Sequence, residues 1–183
     1  VALISDIFSE SEKRFLLQYI EKENPAIPLD EIILRLNQGE PIDYILGYTY
    51  FYGLKIEVNK DTLIPRPETE ELVELILNEN QTRSGLKILD IGTGSGCIAL
   101  ALKSKLVDTE VTAIDVSGVA IEIAQKNSVH LDLNINFIQL DILNEHLWSK
   151  LANYDIIVSN PPYIAQEEKK DMTSSVLDYE PHL

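Results

Sequence analysis

Cysteine, methionine and tryptophan each occur once in 183 residues. With Cys97 alone, neither an internal disulfide nor a multi-cysteine zinc site can form, and a reducing, cytoplasmic setting is the default. Basic residues are also scarce: 15 Lys and Arg stand against 30 Asp and Glu, a net charge of −15. Contacts to phosphate need clustered cations, so nucleic acid is disfavoured as the main substrate, and the acidity otherwise serves solubility. No apolar run is long enough to span a bilayer, and no membrane association is expected. His130, His146 and His182 lie too far apart for a helical metal pair. No H-E-x-x-H occurs, and no metal is expected. The opening residues include Asp6, Glu10 and Glu12 without a basic leader, unlike a signal peptide. The first residue is Val1, which implies processing or trimming.

What is present is ordinary globular composition, 45% hydrophobic and 25% charged, in a length that suits one or two domains. Phe15, Leu16, Tyr19 and Ile20 recur at helical spacing between Ser9 and Glu23, with Ser9 or Ser11 as caps. A second short helix is expected from Leu29 to Leu36. The run from Tyr48 to Val58 reads as a β-hairpin turning near Gly53. Its aromatic residues, like Trp148, read as packing groups at an interdomain junction. Pro67 suits the first position of a helix running through Leu77, with Glu68, Glu70 and Glu71 complementing its positive end. Arg66, between two prolines, is either aimed into a pocket or a plain surface cation.

From Leu86 the pattern is β-α-β. Strands are expected at Leu86 to Ile91, Val111 to Asp115, Ile135 to Leu140 and Tyr154 to Ser159, with helices at Cys97 to Lys105 and Val119 to Leu131. Such alternation implies a parallel sheet with right-handed crossovers. The turn Gly92-Thr93-Gly94-Ser95-Gly96 lets a ligand approach the backbone, and the following helix offers amides to an anion. Its third glycine arrives one residue early for a dinucleotide fingerprint. A nucleoside with a small anionic group fits better than a pyrophosphate. S-adenosyl-L-methionine is such a ligand: its carboxylate would use the loop and helix amides, its ribose Asp115, and its adenine the neighbourhood of Asp141 or Ile142.

Asn160-Pro161-Pro162-Tyr163 follows the apolar run that starts at Asp155, at the mouth of a buried strand. A planar NH2 group there can donate to the Asn160 side-chain oxygen and to the Pro161 carbonyl, while Tyr163 covers its face. The prolines stiffen the loop and lack competing N–H groups. The alternative is a plain strand terminator.

Taken together, Asp90 to Gly96, Asp115, Asn160 to Tyr163, Gly39 to Gly47 and Leu63 to Glu70 resemble the PrmC/HemK family of peptide chain release factor glutamine methyltransferases. The resemblance implies a class I methyltransferase, an α/β Rossmann-like doubly wound sheet preceded by a small helical domain and a hairpin. It implies boundaries at 1–47, 48–66 and 67–183, and a chain shortened at both ends, with four strands where the family has seven. It further implies methylation of the glutamine amide nitrogen in the Gly-Gly-Gln loop of release factors, with S-adenosyl-L-homocysteine as product. Asp90, Gly92, Thr93, Gly94, Ser95, Gly96, Asp115, Asp141, Ile142 and Asn160 would hold the donor. Asn160, Pro161, Pro162, Tyr163 and Arg66 would hold the substrate, with Asn160, Pro161 and Tyr163 catalytic. Two other readings stay open: an adenine amino methyltransferase acting on a flipped base, and a noncatalytic donor-binding fragment.

Overall fold

A computed structural model describes residues 4–5, 8–106 and 108–161. Helix α1, Glu10–Glu23, opens with a capping box: the Ser9 hydroxyl accepts from the Glu12 amide and the Glu12 carboxylate accepts from the Ser9 amide at 2.7 Å. Left-handed Asn24, φ 43°, closes it. Helix α2, Leu29–Asn37, follows Pro28, and α3, Ile42–Leu46, follows Pro41. The sequence reading assigned no helix to the third segment. Five residues are too few for periodicity to register, and only the bounding Pro41 and left-handed Gly47 mark it. Leu16, Ile20, Ile32, Ile33, Leu36 and Ile45 form the shared core of these three helices.

The hairpin pairs β1, Tyr48–Phe51, with β2, Leu54–Glu57. Tyr52 and Gly53 between them both take positive φ, 50° and 77°, the geometry whose twist matches that of the strands it joins. The turn is docked on α4, Pro67–Glu79: the Tyr52 amide donates to Glu70 at 2.6 Å and its hydroxyl to Glu74. On the other side, Tyr48 and Tyr50 both donate to Glu23, at 2.7 and 3.3 Å. Lys55 Nζ sits 3.5 Å from the centre of the Tyr48 ring. The aromatic run thus ties the end of α1 to the hairpin.

The main sheet contains β3, Leu86–Ile91, β4, Thr109–Asp115, β5, Asn136–Gln139, and β6, Ile156–Ser159. All pairings are parallel and the order is β5-β4-β3-β6. Helices α5, Cys97–Lys105, and α6, Gly118–His130, supply the crossovers. Alternation along the strands separates two cores. Ile88, Val111 and Ala113 join Phe51, Ile56, Val73 and Leu100 on one face, while Leu89, Ile114 and Leu140 meet Ile142, Leu147 and Tyr154 on the other. Succession runs outward from β3 in both directions, so a crevice opens above the C-terminal ends of β3 and β6. That switch point is where ligands bind in sheets of this kind.

Asn127 on α6 joins these parts. Buried to 1% exposure, it accepts from the Glu57 amide at 2.7 Å and donates to the Glu57 carbonyl at 3.0 Å and the Ser95 carbonyl at 2.9 Å. Asn127→Ala strands the buried Ser95 carbonyl and two partly buried backbone groups of Glu57; a buried group left unsatisfied costs roughly 1–3 kcal/mol and a partly buried one less. The expected loss is about 2–4 kcal/mol of unfolding free energy, measurable by urea denaturation.

Candidate active site

The turn from β3 into α5 is held by its own neighbours. The amides of Gly92 and Thr93 donate to the Ile114 carbonyl at 2.9 and 3.0 Å, Gly94 donates to Asp115 Oδ2 at 2.9 Å, and Gly96 to the Thr93 carbonyl at 2.8 Å. The sequence assigned loop amides to a ligand carboxylate. Each amide has one proton to give, so these four are already committed. The reason for Gly96 is also different from ligand approach: a Cβ there, at φ 84°, would stand 3.0 Å from the Ala124 Cβ. The glycine lets α5 approach α6, and it does not reach the cleft wall.

Asp90 stands beneath the turn, fully buried and outside the cleft wall. Its Oδ2 accepts from the Thr93 hydroxyl at 2.7 Å, and the Ala99 backbone amide also faces the carboxylate. Burial raises this carboxyl from the ordinary 3.8 to about 6; the Thr93 hydroxyl offsets part of the shift and the Asp115 charge adds to it. A raised folded-state value means that the folded chain binds the proton more tightly. Asp90's contribution is therefore full below about pH 4 and is lost as pH rises through about 6. Asp90→Asn is expected to remove this slope from urea midpoints measured between pH 4 and 7.

Asp115, at the end of β4 and 7% exposed, receives Gly94 on Oδ2 and the Ser117 amide on Oδ1 at 2.9 Å. Each carboxylate oxygen retains capacity for a further donor. The adjacent Val116 is half exposed, and its carbonyl is braced by Gln139 Nε2 at 3.1 Å. Across the opening, Asp141 Oδ1 accepts from the Leu143 amide at 2.9 Å, and Trp148 Nε1 donates to the Ile142 carbonyl at 2.8 Å. Trp148 is half exposed, so its part is to brace this loop and not to fill a core. It belongs to a short 3₁₀ turn, Glu145–Lys150, that the sequence reading did not assign.

These elements surround a cleft of about 580 Å³. Gly92, Thr93, Gly94, Ser95, Asp115, Asp141, Ile142, Asn160, Pro161 and Arg66 all line it. Pro162 and Tyr163 lie outside the described residues. Arg66 occupies the position before the first turn of α4, and its pairing of prolines sets it on the cleft rim. Ser159 Oγ donates to the Ile91 carbonyl at 2.8 Å, which ties the end of β6 to β3. One residue later, the Asn160 amide nitrogen donates to Thr69 Oγ1 at 3.1 Å.

Thr69, Trp148 and Asn127 were absent from the sequence-derived site. Thr69 alone carried a signal, lying within the Pro65 to Glu70 segment one turn after Arg66. Cys97 borders the cleft, but desolvation, helped by the Asp90 charge, pushes its thiol up to about 12, so it stays protonated and non-nucleophilic. Among the described residues, no cluster of His, Cys, Asp and Glu is arranged to hold a metal ion.

The sequence signature described as "Methyltransferase small domain" matches residues 68–178. The chain belongs to that family. For this methyltransferase small domain, the parallel sheet and its switch-point crevice constitute the class I Rossmann-like fold. A Release factor glutamine methyltransferase of Flavobacterium psychrophilum is 52% identical over 157 residues, covering 84% of this chain and 54% of that protein. A protein of the same name from Bacteroides thetaiotaomicron is 48% identical over 155 residues, 85% of this chain and 55% of the other. The Streptococcus pneumoniae protein of that name is 43% identical over 182 residues, covering 100% of this chain and 59% of its own. The chain thus spans a little over half the length of these curated relatives.

Proposed function

We propose that the chain is the donor-binding and acceptor-positioning part of an enzyme that methylates the glutamine side-chain amide of the Gly-Gly-Gln loop in peptide chain release factors. One observation carries this reading: Asn160 and Pro161 line the same cleft as the glycine turn and Asp115, with the Asn160 side-chain amide held by a hydrogen bond to Thr69 Oγ1 at 3.1 Å. The relatives' names agree with a glutamine amide as the group methylated there.

The residues fit S-adenosyl-L-methionine. Asp115 has acceptor capacity for ribose hydroxyls, Val116 and Ile142 offer apolar faces to an adenine, and the glycine turn leaves room at the edge of β3. Bound there, the donor supplies an electrophilic methyl group on a sulfonium and becomes S-adenosyl-L-homocysteine once the methyl is transferred.

An amide nitrogen is a poor nucleophile because its lone pair is shared with the carbonyl. Asn160 Oδ1 and the Pro161 carbonyl would accept hydrogen bonds from its two N–H groups and hold it in place. They would stabilise the positive charge that develops on nitrogen as its bond to the methyl forms and the methyl–sulfur bond breaks, one N–H proton then leaving to solvent. Orientation of this kind supplies at most about 7–11 kcal/mol. Arg66 would meet the acceptor loop at the cleft rim. Pro162 and Tyr163 would complete the substrate side, and the setting would be the cytoplasm. None of the described helices is long and apolar enough to cross a membrane.

Labelled donor offered with release factor or with DNA separates the glutamine reading from the adenine one. Label on the glutamine of the Gly-Gly-Gln peptide is expected; label in DNA alone would overturn the reading.

A further inference from the structure

We infer that Tyr44 is a positioning residue for the acceptor side of the cleft, holding in place the wall formed by residues 61–66. The inference rests on the reaction proposed above. It gives a task to residues 39–47, which do not reach the cleft themselves. Ahead of α3, Arg35 grips Glu40 through two bonds of 2.7 and 2.6 Å, and left-handed Gly47 ends the helix. Consecutive residues of this short helix then enter different cores. Ile45 packs with Leu16, Ile20 and Ile33 of the helical module, whereas Tyr44 packs with Phe51, Ile56 and Ile64 of the main core.

The Tyr44 hydroxyl donates to the Thr62 carbonyl at 2.7 Å, a bond with one possible direction because a carbonyl has no proton to give. Both residues are buried, at 7% and 1% exposure. Thr62 belongs to the turn between β2 and α4. Its amide donates to the Asn59 carbonyl at 3.0 Å, the Asn59 amide to Thr62 Oγ1 at 3.4 Å, and the Asp61 amide to Asn59 Oδ1 at 2.8 Å. Such bonds give the turn its shape but not its place. Among the described residues, the Tyr44 hydroxyl is the hydrogen-bonding group from outside that reaches residues 59–64, and buried Ile64 adds an apolar anchor in the same core. Asp61 and Leu63, on either side of Thr62, line the cleft, followed by Pro65 and Arg66. The wall is thus placed by α3. The bonds that hold Gly92, Thr93, Gly94 and Asp115 involve none of these residues. Loss of the hydroxyl should therefore be felt by the acceptor and not by the donor.

The test sets Tyr44→Phe, which keeps the ring and removes the hydroxyl, beside Ile20→Val, which thins the core of the helical module without touching this bond. In the full chain, assayed well below both melting temperatures, Tyr44→Phe is expected to raise KM for a Gly-Gly-Gln peptide about 5–10-fold. Its kcat and its affinity for S-adenosyl-L-homocysteine should stay within about twofold of the unsubstituted protein. Ile20→Val is expected to lose stability with KM unchanged. An unchanged KM in Tyr44→Phe, with or without a change in kcat, overturns the inference. So does an equal rise in Ile20→Val, which marks general loosening, or a matching loss of S-adenosyl-L-homocysteine affinity, which puts the wall on the donor side. An independent readout is amide hydrogen exchange: peptides spanning residues 59–66 should exchange faster in Tyr44→Phe, with those spanning 90–96 as before. Unchanged exchange at 59–66 removes the anchoring role. If the unsubstituted chain transfers no methyl to the peptide, the reaction reading fails, and exchange still decides whether Tyr44 holds the wall.

Discussion

Asn160→Ala is expected to lower the rate of methyl transfer to a Gly-Gly-Gln peptide by about 10²–10³-fold, the range seen when one preorganised polar group facing a developing charge is removed. The substitution deletes the acceptor that would hold the substrate NH2 group. It also leaves Thr69 Oγ1 without the donor that now reaches it at 3.1 Å. Donor binding should change much less, because the glycine turn and Asp115 are held by bonds that do not involve Asn160. The measurement is mass spectrometry of the peptide over time, with donor affinity followed in parallel by calorimetry. Equal methylation by the substituted and unsubstituted chains would remove Asn160 from the reaction.

The second large effect is expected at Asp115 and has the opposite signature. Its carboxylate accepts from Gly94 and Ser117 at 2.9 Å each, so it organises the walls of the cleft as well as offering acceptor capacity to a ribose. Hydrogen bonds to a charged group contribute roughly 1.5–3 kcal/mol each. Asp115→Ala frees both amides and removes the ribose partner. Donor affinity should fall on the order of 10²-fold or more, equivalent to about 2.7 kcal/mol. Asp115→Asn should fall between, because one oxygen becomes an NH2 group facing an N–H. Calorimetric titration with S-adenosyl-L-homocysteine distinguishes the three proteins without requiring turnover. Unchanged affinity in Asp115→Ala would place the donor elsewhere.

The parallel sheet was legible because each strand and helix carries its period in full. Cys97–Lys105 was bounded correctly by the glycine turn before it and the lysines at its end. The hairpin was legible from Gly53, and α1 from the spacing of Phe15, Leu16, Tyr19 and Ile20 with Ser9 as a candidate cap. The short α3 was not, because a five-residue helix shows caps but no repeat. At the site, the family resemblance brought forward most of the residues that meet in the cleft, while Asp90 and Gly96 stay behind its wall. It did not reveal how the polar groups are already paired. The commitment of the loop amides to Ile114 and Asp115 depends on the register of β3 against β4. The Asn160 to Thr69 bond joins residues 91 positions apart, and local pattern is silent at that distance.

The self-sufficiency of the glycine turn separates two kinds of evolutionary freedom. Because Ile114 and Asp115 of β4 receive the amides of Gly92, Thr93 and Gly94, and Gly96 bonds within the turn, the turn is braced without help from any ligand. In the proposed reaction, changes on the acceptor side, around residues 61–69 and 160–161, would leave these bonds of the glycine turn in place. A scaffold partitioned in this way can be redirected to a new nucleophile by altering one wall of a single cleft.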